Sequence, residues 1–280
     1  ANDLILPGCN VATGDPSYYS TFIAKFDTNG NCLRINIITS DKAHIPNQYE
    51  RVHTMISLVL DSFENVYVST SVWNGGGATG TIWFANTSVA EFTQTLSTSG
   101  GSNGLIAKLN NNGSWDWATK NGVFGTRGTI SLDSTGDVWA ISDDGILAKF
   151  NSTGVLEVQH KLDDCIGCNN VWPYDLAIDS SDNMYVIGAY SGTFTVDING
   201  VTNDNPSTGI DMFVLKLDSN GNPVWFSQAT SSSTVRGFSI AVDSNHEVYL
   251  SAIYYSNLFL DNQFSFSGTG NSQGIVGKLN

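Results

Sequence analysis

The sequence predicts an all-β protein built from short antiparallel repeats, and three observations carry that prediction. Gly and Asn each occur 28 times and Asp 21 times in 280 residues, against only 5 Glu and 8 Lys. Asp, Asn and Gly favour turns and resist helix interiors, while the charged helix formers are scarce. Charged residues make up 14% of the chain, against about 25% in ordinary globular proteins. The third observation is internal repetition with a fixed spacing, which outranks any isolated motif. The formal charge of −14 excludes nucleic acid as a partner, because phosphate is repelled by such a surface. No run of 18 apolar residues occurs, so no transmembrane helix is expected.

The first repeated element is an apolar strand ending in Asp-Ser, a polar turn, and a strand carrying an aromatic residue. It reads SLVLDSFENVYVS at 57–69, ISLDSTGDVWAIS at 130–142, LAIDSSDNMYVIG at 176–188 and IAVDSNHEVYLSA at 240–252. The interval from Asp to aromatic is constant: Asp61 to Tyr67, Asp133 to Trp139, Asp179 to Tyr185, Asp243 to Tyr249. Alternation on both sides of a tight polar turn predicts a β-hairpin, strands A and B.

The second element, strand C, is apolar with one Lys and ends in a turn. It reads FIAKFDTNG at 22–30, LIAKLNNNG at 105–113, ILAKFNSTG at 146–154, FVLKLDSNG at 213–221 and IVGKLN at 275–280. Lys25, Lys108, Lys149, Lys216 and Lys278 share one position. A role repeated five times is structural, so each Lys is expected on a solvated or inter-blade face. Strand D follows each turn, as at 114–120 and 223–228. Three repeats carry a polar hairpin between B and C, at 80–104, 192–209 and 256–274. The repeat around Asp143-Asp144 has only a tight turn there. Insertions at one point of each repeat fall on a common face, where binding usually resides.

Grouped as D-A-B-C, the chain yields four full units, 32–110, 113–150, 154–217 and 222–280. This predicts a single β-propeller domain over 1–280 of four full repeats plus an N-terminal supplementary segment, 1–31, giving four to five blades. The pattern resembles the bacterial β-propeller repeats often called SBBP repeats, which combine apolar-Asp-Ser, Val-Tyr-Val, a polar hairpin, and apolar-x-Lys-apolar-Asp-x-x-Gly before a Trp-bearing strand. Residues 179–188 with 211–225 fit that pattern best, and it extends over nearly the whole chain. The resemblance implies an extracellular or surface propeller and supplies no catalytic residues. Such propellers usually have more blades than this chain provides.

A propeller must close its ring or protect its edges. The N-terminal segment, with Leu4, Ile5 and Leu6 as a strand-like run, therefore has two readings. It completes a blade within its own chain, or it adds to the last blade of a neighbour by strand donation. Head-to-tail donation does not close and makes a fibre, and removing residues 1–8 would then abolish polymerisation.

Cys9, Cys32, Cys165 and Cys168 form an even set in a Lys-poor, Asn-rich chain, which suggests an oxidising compartment. The local pairings are Cys9 with Cys32 and Cys165 with Cys168. Free structural thiols and a four-thiolate zinc site are the alternatives, although such sites usually show two close pairs. Asn86, Asn112 and Asn151 head Asn-x-Ser/Thr sequons in polar stretches and are glycosylation candidates. The start Ala1-Asn2-Asp3 matches a mature secreted protein, so the expected location is extracellular or the cell surface.

Strings that look chemical do not assemble into a catalytic set. Gly75-x-Gly77-x-x-Gly80 leads into Thr81-Ile82-Trp83-Phe84, a strand, where a dinucleotide site needs a helix. Gly-x-Ser-x-Gly around Ser102 and Ser272 recurs at equivalent repeat positions, without the strand-turn-helix of a nucleophile elbow. His44, His53, His160 and His246 show no metal-binding spacing. Asp143-Asp144 and Asp163-Asp164 are the candidate carboxylate pairs for a glycan-acting hydrolase. The turns containing Asp27 and Asn29, and Asp218 and Asn220, are weak calcium candidates that lack EF-hand spacing; Asx or Asn-Gly turns explain them without metal. Trp73, Trp83, Tyr254 and Tyr255 flank or occupy insertions and suit sugar stacking or protein contact. The expected function is a non-enzymatic surface component, cofactor-free, that partners with itself or with other surface proteins and glycans. A carbohydrate-binding propeller is the alternative and a glycan-acting hydrolase the remote one.

Overall fold

The computed structural model describes residues 5–6, 9–10, 21–40, 50–86, 92–120, 128–162, 170–198, 201–207, 209–260, 264–268 and 270–279, and all its regular elements are strands. The chain forms two compact units, Ala1–Gly128 with Thr153–Val155, and Thr129–Ser152 with Leu156–Asn280.

The first unit holds β1 (Ile5–Leu6), β2 (Cys9–Asn10), β3 (Thr21–Phe26), β4 (Cys32–Ser40), β5 (Glu50–Leu60), β6 (Val66–Asn86), β7 (Phe92–Leu109) and β8 (Trp115–Lys120). Its main sheet runs β3-β4-β6-β7-β8, with β5 also on β6. Strands β4 and β5 lie end to end along one edge of β6: β5 pairs from Leu60↔Val66 to Glu50↔Asn74, and β4 from Ser40↔Ile82 to Asn36↔Asn86. The first insertion is therefore the far half of one long β6–β7 ribbon. Its register shifts between Asn74 and Thr79, where Gly75-Gly76-Gly77 supplies the backbone latitude that a bulge needs. One core gathers Ile23, Ile38, Val66, Val68, Ile82, Phe84, Leu105, Leu109 and Trp115. A second, smaller cluster joins Cys9, Cys32 and Ile35. The Cys9–Cys32 disulfide ties the β1–β2 hairpin to β4, as the spacing predicted.

The second unit contains β9 (Gly128–Leu132), β10 (Val138–Ser142), β11 (Ile146–Phe150), β12 (Leu156–Lys161), β13 (Asn170–Ile178), β14 (Met184–Ser191), β15 (Thr193–Ile198), β16 (Val201–Pro206), β17 (Asp211–Leu217), β18 (Pro223–Ser231), β19 (Val235–Val242), β20 (Val248–Tyr254), β21 (Leu258–Leu260), β22 (Phe264–Phe266) and β23 (Gln273–Leu279). Three meanders follow one another: β9-β10-β11-β12, β13-β14-β17-β18 and β19-β20-β23. The hairpin β15–β16 is the second insertion, and β21–β22, the third, extends the preceding meander through β18. Strands β13 and β19 pack on the meander before them. One core joins Ile141 and Leu147 to Val171 and Leu176; the next joins Ile187 and Val214 to Val235 and Ile240. The second joint is close enough to require glycine, since a Cβ on Gly237 would lie 2.3 Å from Ile187 Cγ1.

Repeated antiparallel meanders of this kind are β-propeller blades, and the all-β propeller class is the one expected. The blade boundaries differ from the D-A-B-C grouping. Each D strand pairs with the C strand before it, β8 with β7, β12 with β11 and β18 with β17, so the hydrogen-bonded unit is A-B-C-D. The five-residue C–D turn makes that pairing local and entropically cheap.

Candidate functional site

The residues that recur in every repeat form a similar polar arrangement in each blade. In each A–B turn the leading Asp accepts two backbone N–H bonds through Oδ1. Asp61 takes those of Phe63 and Asn65, each at 2.9 Å, and Asp133 those of Thr135 and Asp137, each at 3.0 Å. Asp179 takes those of Ser181 and Asn183, each at 2.9 Å, and Asp243 those of Asn245 and Glu247 at 2.8 and 3.0 Å. The fourth turn residue is left-handed: Glu64, Gly136, Asp182 and His246 have φ between 62° and 81°. A residue with a Cβ pays about 1–2 kcal/mol for that conformation, and each of the three non-glycines makes a compensating bond. Glu64 accepts from Lys25 Nζ at 2.7 Å. Asp182 accepts from Ser134 N and Oγ at 2.7 and 2.6 Å. His246 Nδ1 meets Asp179 Oδ2 at 3.0 Å.

The constant six-residue interval has a geometric cause. It places the aromatic directly across the ladder from the repeated Lys: Tyr67↔Lys108, Trp139↔Lys149, Tyr185↔Lys216 and Tyr249↔Lys278. Each Nζ sits over its ring, 5.0–5.7 Å from the centroid, within cation–π range. Lys149 also bridges Asp133 and Asp137 at 3.0 and 3.1 Å. The Tyr185 hydroxyl donates to Asp179 Oδ2 at 3.0 Å. Asp179 has no exposed side-chain surface. Burial alone would raise its pKa, but the Asn183 side chain and backbone, His246 and Ser181 outweigh that and hold it far below the usual carboxylate range. Burial first, then Asp179, pushes the Tyr185 hydroxyl upward. These groups brace turns and ladders; sequence reasoning placed each Lys on a solvated or inter-blade face and did not foresee its pairing with the aromatic across the ladder.

The calcium candidates are committed to the same chemistry. Asp27 Oδ1 accepts Asn29 N and Asn31 N, each at 2.8 Å, and Oδ2 accepts Asn31 Nδ2 at 2.9 Å. Asp218 does the same with Asn220 N, Asn222 N and Asn222 Nδ2. Asn29 and Asn220 contribute backbone N–H groups, which repel a cation, so the donor set does not fit calcium. Among the described residues no cluster of three or more His, Cys, Asp or Glu is placed to hold a metal ion.

The aromatic candidates do not gather at loops. Trp73 and Trp83 lie within β6, paired with Arg51 and Thr39 respectively; their side chains are outside the described set. Tyr254 closes β20 and is buried in the core with Val248, Leu250 and Ala252. It is the inward residue of an alternating strand, which corrects its assignment to a binding surface. Tyr255 follows it and is 37% exposed, with its N–H bonded to Thr234 O. Phe259 and Phe266, on the third insertion, are also exposed; neither was singled out in the sequence.

Of the assembly strand, Ile5 and Leu6 pair with Asn10 and Cys9 in their own hairpin, while Leu4 lies outside the described residues. Cys165, Cys168, Asp163, Asp164 and His44 also lie outside them. Asn112 is exposed, and its Oδ1 accepts from Ser114 N and Oγ. Asn151 Nδ2 donates to Glu157. Asn86 pairs with Asn36 at the end of β6. Asp143-Asp144 occupy the tight β10–β11 turn; burial, then Asp143, raises the Asp144 carboxyl. Ser102 lies in β7, and β6 runs straight through the Gly75–Gly80 string. Asp211, at the start of β17, is a buried acid that no motif marked; burial raises its pKa, and it accepts from Ser231 N at 3.1 Å.

No protein-family model matches the chain, so the likeness to SBBP repeats rests on the quoted residues. No curated protein matches it either. Similar solved structures include a glutaminyl cyclase from Myxococcus xanthus, 12% identical with TM-score 0.32, covering 72% of this chain and 88% of that one. A catalytically inactive virginiamycin B lyase from Staphylococcus aureus with quinupristin is 8% identical with TM-score 0.31, covering 82% and 88%. The Dos1 propeller is 8% identical with TM-score 0.33, covering 75% and 70%. Scores this low carry no argument about activity. The fold assignment rests on the meanders themselves.

Proposed function

We propose that this chain is a non-enzymatic structural or adhesive component of an extracellular or cell-surface layer, acting by self-assembly. One observation carries the reading: the acids, lysines and aromatics that recur in every repeat are bonded to one another within the blades. Chemistry repeated four times for bracing leaves recognition to sheet faces and insertions. The Cys9–Cys32 disulfide supports an oxidising, extracellular setting. Sedimentation velocity from about 1 to 100 µM tests it, a range in which moderate interfaces associate. The weight-average sedimentation coefficient is expected to rise with concentration; a flat, single-chain value would overturn the reading.

A carbohydrate-binding propeller is the second reading, favoured by exposed Tyr255, Phe259 and Phe266 around the third insertion. Rings in such positions stack on sugars. A glycan array would decide it, and silence across common polysaccharides would remove it.

A further inference from the structure

Two aromatic side chains of the second unit stand outside its cores. Strand β13 slips register against β14 between Pro173 and Asp175, and β19 slips against β20 between Gly237 and Ser239. The skipped residues are Tyr174 and Phe238. Each stands five places before its turn Asp, Asp179 or Asp243. A bulge leaves its extra residue unpaired and re-aims that side chain. Here the two re-aimed rings meet, with centroids 5.5 Å apart and planes 30° from one another, within the range of attractive aromatic pairs. Neither ring joins the two cores of the unit, and Phe238 is left exposed by its own unit.

The backbone beneath the pair is clamped. Thr129 Oγ1 of β9 donates to Tyr174 O at 3.1 Å. Asp175 Oδ2 accepts from Ser239 Oγ and Ile240 N at 2.7 and 3.0 Å, and Oδ1 accepts from Leu176 N at 2.9 Å. These bonds tie β13 to β19 just past the two bulges. Gly188, paired with Pro173 at the first bulge, has no room for a side chain, since a Cβ would lie 2.3 Å from Trp172 O. The rings are thus presented by a fixed framework. Bracing does not account for their being aromatic: the same place holds Ile56 and Gly128 in the other two full repeats, whereas the bracing Asp and Lys recur in every one.

We propose that Tyr174 and Phe238 form a binding site for a neutral glycan, whose pyranose rings lay their C–H faces on the aromatic pair. The rings supply the apolar surface. The Tyr174 hydroxyl and Ser239, next along from Phe238, border them with polar groups. Ser239 Oγ gives its proton to Asp175 and keeps acceptor capacity for a sugar hydroxyl. The formal charge of −14 works against anionic ligands, and the clamp lowers the ordering cost of binding. This gives the carbohydrate-binding reading a site distinct from Tyr255, Phe259 and Phe266, and rests on that reading.

The test titrates the whole chain with cellohexaose, xylohexaose and chitohexaose, neutral β-linked oligosaccharides, by calorimetry and saturation-transfer NMR. At least one should bind, with saturation strongest at its ring C–H protons. Phe238→Ala should weaken that binding at least about tenfold, as loss of an aromatic contact does, and keep the wild-type thermal midpoint because the ring supports no core. Phe238→Tyr returns a ring and should recover most of the affinity. Unchanged binding by Phe238→Ala, or no recovery in Phe238→Tyr, would overturn this site while leaving the carbohydrate reading standing. Failure of all three oligosaccharides would overturn the site as well; a silent glycan array in addition would overturn the carbohydrate reading with it.

Discussion

Replacing Asp179 with Ala removes the most heavily used carboxylate in the described structure. It accepts from Ser181 N, Asn183 N, Asn183 Nδ2, the Tyr185 hydroxyl and His246. The Tyr185 ring is 1% exposed, so its hydroxyl has little access to water once Asp179 is gone. Hydrogen bonds to a charged group contribute about 1.5–3 kcal/mol each, and a stranded buried donor costs about 1–3 kcal/mol. Counting only the Tyr185 and Asn183 side-chain bonds gives a loss of about 3–6 kcal/mol. Asp179→Asn keeps Oδ1 for the two backbone donors and loses the charge, so its loss should be smaller. Asp27→Ala breaks the same turn geometry at an exposed site without the Tyr and His partners and should cost least. Urea unfolding followed by circular dichroism and tryptophan fluorescence ranks the three. Equal shifts for Asp179→Ala and Asp27→Ala, or an Asp179→Ala variant within about 1 kcal/mol of wild type, would refute the claim that the buried assembly braces the blade.

Three further outcomes follow from the same geometry. Asp61, Asp133, Asp179 and Asp218 are all held below their ordinary carboxylate values by turn N–H groups and neighbouring side chains that outweigh burial. At these four sites the folded state therefore binds fewer protons than the unfolded one; their stabilisation is complete above the unfolded Asp pKa of about 3.9 and declines as pH falls through the depressed values, outweighing the opposite contribution of Asp144 and Asp211, whose carboxyls are raised, so thermal midpoints should drop below about pH 4. Gly237→Ala forces a Cβ into Ile187 and Met212 and should destabilise the second unit by about 1–3 kcal/mol, read as a lowered unfolding midpoint; an unchanged midpoint would contradict the close joint. Cys32→Ser opens the disulfide loop, whose cysteines are 23 positions apart, and should cost about 3 kcal/mol; reductant should shift wild type by at least that amount and the variant by less.

Much of the fold was legible because the repeat writes its turn chemistry into the sequence. Asp179 and its equivalents mark the A–B turns, and Gly113, Gly154 and Gly221 close the C–D turns with positive φ. The disulfide followed from its neighbourhood. The blade boundary did not, because spacing alone leaves a D strand free to pair with the C strand before it or the A strand after it. The lysine–aromatic pairing was not legible for a related reason: only the register shows Lys216 opposite Tyr185. Tyr254 was readable in principle, since alternation from Val248 through Leu250 and Ala252 points it inward. The length of β6 was not, because Gly75–Gly77 reads as a loop and the structure carries the strand through it.

The central proposal is that this chain acts by associating with copies of itself. Electron microscopy of the purified protein at micromolar concentration, with and without a calcium chelator, tests it most directly. The account predicts assemblies larger than a single chain under both conditions. Isolated particles of single-chain mass under both conditions would contradict it, and assemblies that vanish with the chelator would contradict the assignment of the Asp27 and Asp218 turns as metal-free.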